Sequence, residues 1–133
     1  GKSHLLYSSA RYIASEKCMT SLFITMTDLV GAIKSTWGRR GEENEHSIIK
    51  RMVDVEFLVL DDIGAPMGSD RMEEIADNIM FQIVNARTGK HTAFSTNLTK
   101  NELKMKIDPR TYDRMISNKY ATMYEIKGPS GRQ

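Results

Sequence analysis

The chain contains one cysteine and no long apolar run. A single thiol, Cys18, allows no internal disulfide and fits a reducing compartment, so a cytoplasmic protein is expected. Its neighbours Glu16 and Lys17 offer no base suited to activating it, and a buried or neutral thiol is expected. No stretch approaches the roughly 20 apolar residues of a membrane span, and no signal peptide is visible. Internal repeats and low-complexity segments are missing too. The net charge is only +2 over 133 residues. That balance argues neither for nor against a nucleic-acid partner. With 40% hydrophobic and 27% charged residues, this is an ordinary soluble composition with enough chain for one sizeable core.

The sequence is organised around Phe57-Leu58-Val59-Leu60-Asp61-Asp62-Ile63-Gly64. Four consecutive apolar residues are too few for a helix and read as a strand buried on both faces. Two carboxylates cannot stay in a core, so they are expected at the strand's carboxyl end, where open parallel sheets bind ligands. Such a pair suits Mg²⁺, a hard ion that prefers oxygen ligands and keeps most of its waters. A solvent-exposed turn accounts for Asp-Asp and Gly equally well.

The amino end adds a second signal. Gly1-Lys2-Ser3 matches the last three positions of the phosphate-binding loop G-x-x-x-x-G-K-[ST]. His4-Leu5-Leu6, then Tyr7, Ala10, Ile13 and Ala14, give helical spacing directly after it. In such a loop, backbone N–H groups and the helix N-terminus hold phosphates. Lys2 would reach the β- and γ-phosphates, and the Ser3 hydroxyl would ligate Mg²⁺. The rival reading is a chance tripeptide opening an amphipathic helix. The loop's first glycine and the strand feeding it precede Gly1, and the chain lacks an initiator methionine, so it reads as a piece of a longer protein.

The remaining elements alternate. A strand is expected over 21–26, then a helix capped by Thr27 or Asp28 with Leu29, Val30, Ile33 and Trp37 on its buried face. Residues 38–45 form a charged surface loop; Arg39, Arg40 and Lys34 suit either a nucleic-acid backbone or a solvated face. A short helix over 46–52 leads into the acidic strand. A long helix over 70–88 carries Met72, Ile75, Ile79, Ile83 and Val84 as its apolar stripe, with Gly89 as its C-cap. A strand over 91–96 ends at Asn97, which either serves a site or caps the helix over 100–105. Asp108-Pro109 opens a helix with Arg110 and Arg114 on one face. A last strand over 120–126 precedes a loop containing Arg132. This alternation predicts an α/β fold, a mostly parallel sheet flanked by helices. Lys2, Asp61, Asp62, Asn97 and Arg132 then fall near strand ends and converge on one crevice.

These residues resemble the AAA+ ATPases, and within them the DnaC/DnaI-type helicase loaders. The likeness rests on G-K-S-H-L-L, L-V-L-D-D-I-G, F-S-T-N-L-T, R-T-Y-D-R-M and I-K-G-P-S-G-R, in that order along nearly the whole chain. IstB-type transposition helper ATPases share nearly the same core. The resemblance implies a three-layer P-loop NTPase fold whose five-stranded parallel sheet has its central strand before the phosphate loop, hence outside this chain. Residues 1–133 would form the ATPase core, without the loaders' amino-terminal partner-binding region. It also implies ATP and Mg²⁺ as ligands. Gly1, Lys2, Ser3 and His4 would hold phosphates, and Ser3 and Asp61 the metal. Asp62 stands where most of the superfamily has a water-activating glutamate. Asn97 resembles sensor 1, Arg132 sensor 2, and Arg114, with Arg110 as competitor, the arginine finger of a neighbouring subunit. The implied role is to place a hexameric DnaB-type replicative helicase on single-stranded DNA, through self-association and without a membrane. The rivals are a transposition helper acting with duplex DNA and a transposase, and a nucleotide-binding scaffold with little hydrolysis.

Overall fold

A computed structural model describes residues 2–116 and Met123. Its elements run α1 (Lys2–Glu16), β1 (Ser21–Thr25), α2 (Met26–Ser35), α3 (Glu45–Asp54), β2 (Phe57–Asp61), α4 (Asp70–Ala86), β3 (His91–Phe94), α5 (Lys100–Lys106) and α6 (Pro109–Ile116). The described strands form a parallel sheet in the order β1-β2-β3. Ser21 pairs with Phe57 and Thr25 with Asp61; on the other side Phe57 pairs with His91 and Leu60 with Phe94. The expected α/β fold is therefore present.

Side-chain alternation divides the sheet into two faces. Leu22, Ile24, Leu58, Leu60 and Phe94 join a core built with Leu29 and Ile33 of α2, Ile48 and Met52 of α3, and Ile79 and Ile83 of α4. Phe23 and Val59 belong to the opposite face, which α1 covers. There Tyr7 meets Phe23 edge-on, with ring centroids 5.6 Å apart. β2 lies in the middle, and Leu58, Val59 and Leu60 are fully buried. Burial on both faces explains why this strand reads as an unbroken apolar run. Among the described residues, no helix is long and apolar enough to cross a membrane.

Local chemistry moves several boundaries from their expected places. The cap of α2 is Thr25, whose side chain accepts from the Asp28 N–H. Met26, expected at the end of a strand, is instead a buried first residue of that helix. The helix stops at Ser35, so Trp37 lies past its end and is 43% exposed rather than core. Asn44 and Ser47 form a reciprocal cap that starts α3 at Glu45, inside the expected loop. The long helix ends at Ala86 because Arg87, not Gly89, occupies its C-cap. Gly89 sits in the turn that follows, at φ +86°. Cys18 is exposed, which removes the buried alternative of the expected buried or neutral thiol. The expected strand over 120–126 lies outside the described residues.

Arg87 was not singled out by the sequence, yet it joins three segments. It is only 3% exposed. Its guanidinium donates to the carbonyls of Met52, Val53, Val55 and His91, and its Nε donates to Thr92 Oγ1 at 2.8 Å. The end of α3, the entry to β2 and the start of β3 are thereby tied to one planar fork. Burial pulls its pKa downward. The ring of carbonyl acceptors compensates a charge that would otherwise be costly to bury.

Candidate functional site

The site forms where β2 and β3 end beside the first turn of α1. Asp61, the last residue of β2, shares the strand face of Val59, which α1 covers. Asp61 is 2% exposed. Ser3 Oγ, in the first turn of α1, donates to it, with Oγ 3.0 Å from Oδ1 and 2.8 Å from Oδ2. Ser95 Oγ also donates to Asp61 Oδ1.

Strand alternation would send Asp62 to the opposite face. Instead its φ is +57°, a left-handed conformation that Asp tolerates better than most residues, and the chain turns there. The Asp62 side chain then accepts a 3.2 Å hydrogen bond from Asn97 Nδ2. Asn97 Oδ1 in turn accepts from Lys2 Nζ at 2.7 Å. Two chains of contacts therefore run side by side at the strand ends: Ser3–Asp61–Ser95 and Lys2–Asn97–Asp62.

The turn carrying the carboxylates is held tightly. Ile63 N donates to the Ser95 carbonyl at 2.8 Å, and Thr96 Oγ1 donates to the Ile63 carbonyl at 2.8 Å. Gly64 completes the turn at φ +81°, where a Cβ would stand 2.6 Å from Leu98 Cδ1. Only glycine satisfies both conditions without a shift.

The Ser3–Asp61 spacing is that of their hydrogen bond, and it is also compatible with two adjacent oxygen ligands of a hard cation. Adjacent ligands of an octahedral ion bound at about 2.1 Å are about 3.0 Å apart. Ser3 Oγ and the Asp61 oxygens match that spacing. No group of three or more His, Cys, Asp or Glu suited to a metal occurs among the described residues. Two protein oxygens supplemented by water and phosphate suit Mg²⁺ better than a metal needing a protein cage.

Of the sequence candidates, the structure brings together Lys2, Ser3, Asp61, Asp62 and Asn97. His4 is exposed in the first turn of α1. Arg114 stands on α6, where Nε donates to Asn85 Oδ1 at 2.9 Å and the guanidinium lies 5.6 Å from the Phe81 ring centroid. Arg110 covers the same ring at 4.4 Å and is paired with Asp108 at 3.2 Å. That hydrogen-bonded partner pulls the Asp108 carboxyl below its ordinary range. Lys34, Arg39 and Arg40 are exposed. Gly1 and Arg132 lie outside the described residues. Ser95 and Thr96 were missed; their one sequence signal is their place just before Asn97.

A parallel sheet with helices on both faces and polar residues gathered at its strand ends is of the α/β class and fits a P-loop NTPase architecture. No family model matches the chain. It is 31% identical over 117 residues to the replicative helicase loader DnaC of Buchnera aphidicola subsp. Baizongia pistaciae, covering 86% of this chain and 46% of that protein. It is also 31% identical over 120 residues to the replicative helicase loader DnaC of Escherichia coli K12, covering 86% of this chain and 45% of that protein. The chain is thus a relative of the DnaC-type helicase loaders, spanning a little under half their length.

Proposed function

We propose that this protein is an ATP-dependent helicase loader that uses bound nucleotide as a switch in placing a DnaB-type replicative helicase on single-stranded DNA. The observation that carries this reading is the convergence of Lys2, Ser3, Asp61, Asp62 and Asn97 from three separate parts of the chain. The similarity to DnaC loaders supports the same role.

Lys2 supplies a mobile positive charge to phosphate oxygens, and the first turn of α1 supplies N–H groups. Gly1 and His4 would add to the phosphate contacts, as the family resemblance implies. Ser3 and Asp61 would hold Mg²⁺, which would neutralise charge on the phosphates. Asn97 orients Asp62 and faces the terminal phosphate. Asp62 aligns the attacking water through a side chain one methylene shorter than glutamate, so hydrolysis is slow. Arg132, outside the described residues, would act as a phosphate sensor, as the family resemblance implies. Arg114 completes the site of a neighbouring subunit. Its described partners are a neutral amide and an aromatic ring, whereas Arg110 is already matched to Asp108. Self-association is therefore coupled to ATP, and exposed Lys34, Arg39 and Arg40 face the DNA backbone.

The test is titration of a fluorescent ATP analogue into wild-type protein and Lys2→Ala, with and without Mg²⁺. Loss of a charge-assisted phosphate contact is expected to weaken binding at least about ten-fold. Equal affinities for the two proteins would remove Lys2 from the site and with it the nucleotide reading.

A further inference from the structure

The backbone and side chain of Ser95 are both committed to the turn that bears the two carboxylates. Its N–H donates to the Leu60 carbonyl at 3.1 Å, and its carbonyl accepts from Ile63 N at 2.8 Å. Its hydroxyl donates to Asp61 Oδ1 and accepts from the Asp62 N–H at 2.8 Å. The residue is 7% exposed, and water has little access to replace these bonds. A hydroxyl has one proton, so the direction of the pair is fixed: the amide gives to Ser95, and Ser95 gives to the carboxylate.

Two consequences follow. The bond to Oδ1 restrains rotation of the Asp61 carboxylate while its other oxygen stays 2.8 Å from Ser3 Oγ. The bond from the Asp62 amide supports the left-handed residue whose side chain reaches Asn97. A single hydroxyl therefore sets both carboxylates, one through its side chain and the other through its backbone.

We propose that Ser95 is a positioning residue of this site, orienting Asp61 for a divalent cation and holding Asp62 in the turn that aims it at Asn97. The proposal rests on the magnesium–nucleotide reading above. Groups that orient a metal ligand from behind commonly contribute about ten-fold or more to metal affinity. Thr96 provides the internal control. Its hydroxyl bonds the Ile63 carbonyl at 2.8 Å and the Leu98 N–H at 3.1 Å in the same turn, and no carboxylate.

The experiment measures fluorescent-ATP affinity in EDTA and across a Mg²⁺ titration for wild type, Ser95→Ala, Ser95→Cys and Thr96→Ala. Ser95→Ala is expected to raise the half-effective Mg²⁺ concentration about ten-fold while leaving affinity in EDTA unchanged. Ser95→Cys keeps the side chain's size with a poorer donor and shifts the titration in the same direction, which carries the test if the alanine variant does not fold. Thr96→Ala is expected to lower the melting temperature without moving the Mg²⁺ midpoint. A wild-type midpoint in the Ser95 variants, or an equal shift in Thr96→Ala, would overturn the assignment. Wild-type protein whose nucleotide binding ignores Mg²⁺ would overturn the underlying site reading instead, and the proposal with it.

Discussion

Lys2 Nζ and Asn97 Oδ1 are joined by a 2.7 Å hydrogen bond across 95 positions of the chain. The same amide donates through Nδ2 to Asp62, so its two ends are assigned to opposite tasks. In the proposed site, a phosphate would compete with Asn97 for Lys2. Ligand entry would therefore free the oxygen end of Asn97 while its nitrogen end still restrains Asp62. On that reading, nucleotide recognition and carboxylate orientation would meet in one side chain.

The adjacent carboxylates should separate by role. Asp61 contacts Ser3 and Ser95, whereas Asp62 contacts Asn97. Asp61→Asn is expected to weaken Mg²⁺-dependent nucleotide binding about ten-fold or more. Asp62→Asn is expected to keep binding within about two-fold while slowing hydrolysis about a hundred-fold, in the range of lost acid–base assistance. Titration and single-turnover rates on both variants distinguish the cases. Identical losses in binding and turnover would contradict separate roles.

Arg87 should matter to stability rather than to nucleotide. Removing its fork strands several carbonyls in the interior, each costing roughly 1–3 kcal/mol. Arg87→Met is expected to destabilise by at least about 3 kcal/mol in urea melts. Arg87→Lys should recover little, because a single ammonium cannot reach acceptors spread around a planar fork. A lysine variant as stable as wild type would show that charge, not fork geometry, holds these segments.

The contrast between Arg87 and Asp61 shows what a sequence discloses. Asp61 follows an apolar run buried on both faces, and the cost of burying a charge forces it to the strand end. That inference needs only local pattern, and Asp61 does end the strand; it is nevertheless 2% exposed, its carboxylate held by the Ser3 and Ser95 hydroxyls rather than by solvent. Arg87 sits after a helix beside Thr88 and Gly89, a pattern equally suited to an exposed cap. Most of its acceptors are backbone carbonyls from 31 to 35 positions earlier, and carbonyls have no residue-specific signature. Ser95 was hidden for a related reason. A strand predicted to continue through Thr96 would alternate Ser95 and Thr96 across the sheet, whereas β3 ends at Phe94 and both hydroxyls bond the neighbouring turn. Trp37 failed differently: its spacing fits the α2 stripe, but Thr36 caps the helix before that position is reached.

Asp77 supplies a pH prediction. Partial burial, then the nearby Glu73 and Asp108, raise its pKa above the ordinary value of 3.8, while Lys106 opposes the shift. A raised carboxyl pKa means that the folded state prefers the neutral acid. Its favourable contribution is complete below the unfolded pKa and is lost as pH rises through the folded value. Asp77→Asn is therefore expected to raise the melting temperature at pH 7, with the difference shrinking to nothing below about pH 3.8. Melts across this range check it. A gain confined to acid would reverse the sign and reject the account.

Arg114 gives the sharpest test of self-association. Within one chain its described partners, Asn85 and Phe81, belong to α4 rather than to the cluster around Asp61. An arginine that serves a neighbour's nucleotide should therefore be silent in a monomer. Arg114→Ala is expected to change monomer affinity for ATP by less than about two-fold, yet to abolish ATP-dependent assembly and slow hydrolysis by about a thousand-fold, as for a trans-acting arginine. Sedimentation with and without ATP reads the first effect, and turnover reads the second. Mixing then separates a trans role from a local one. A Lys2→Ala subunit cannot use its own site but retains Arg114, so it should restore turnover to an Arg114→Ala neighbour. Arg110→Ala is the control on the same helical face, already engaged by Asp108. Its loss should leave mixed-subunit turnover close to wild type. Absence of rescue, or weakened ATP binding by the lone Arg114→Ala subunit, would reject the trans role. A rescuable defect in Arg110→Ala alone would transfer it one turn earlier on α6.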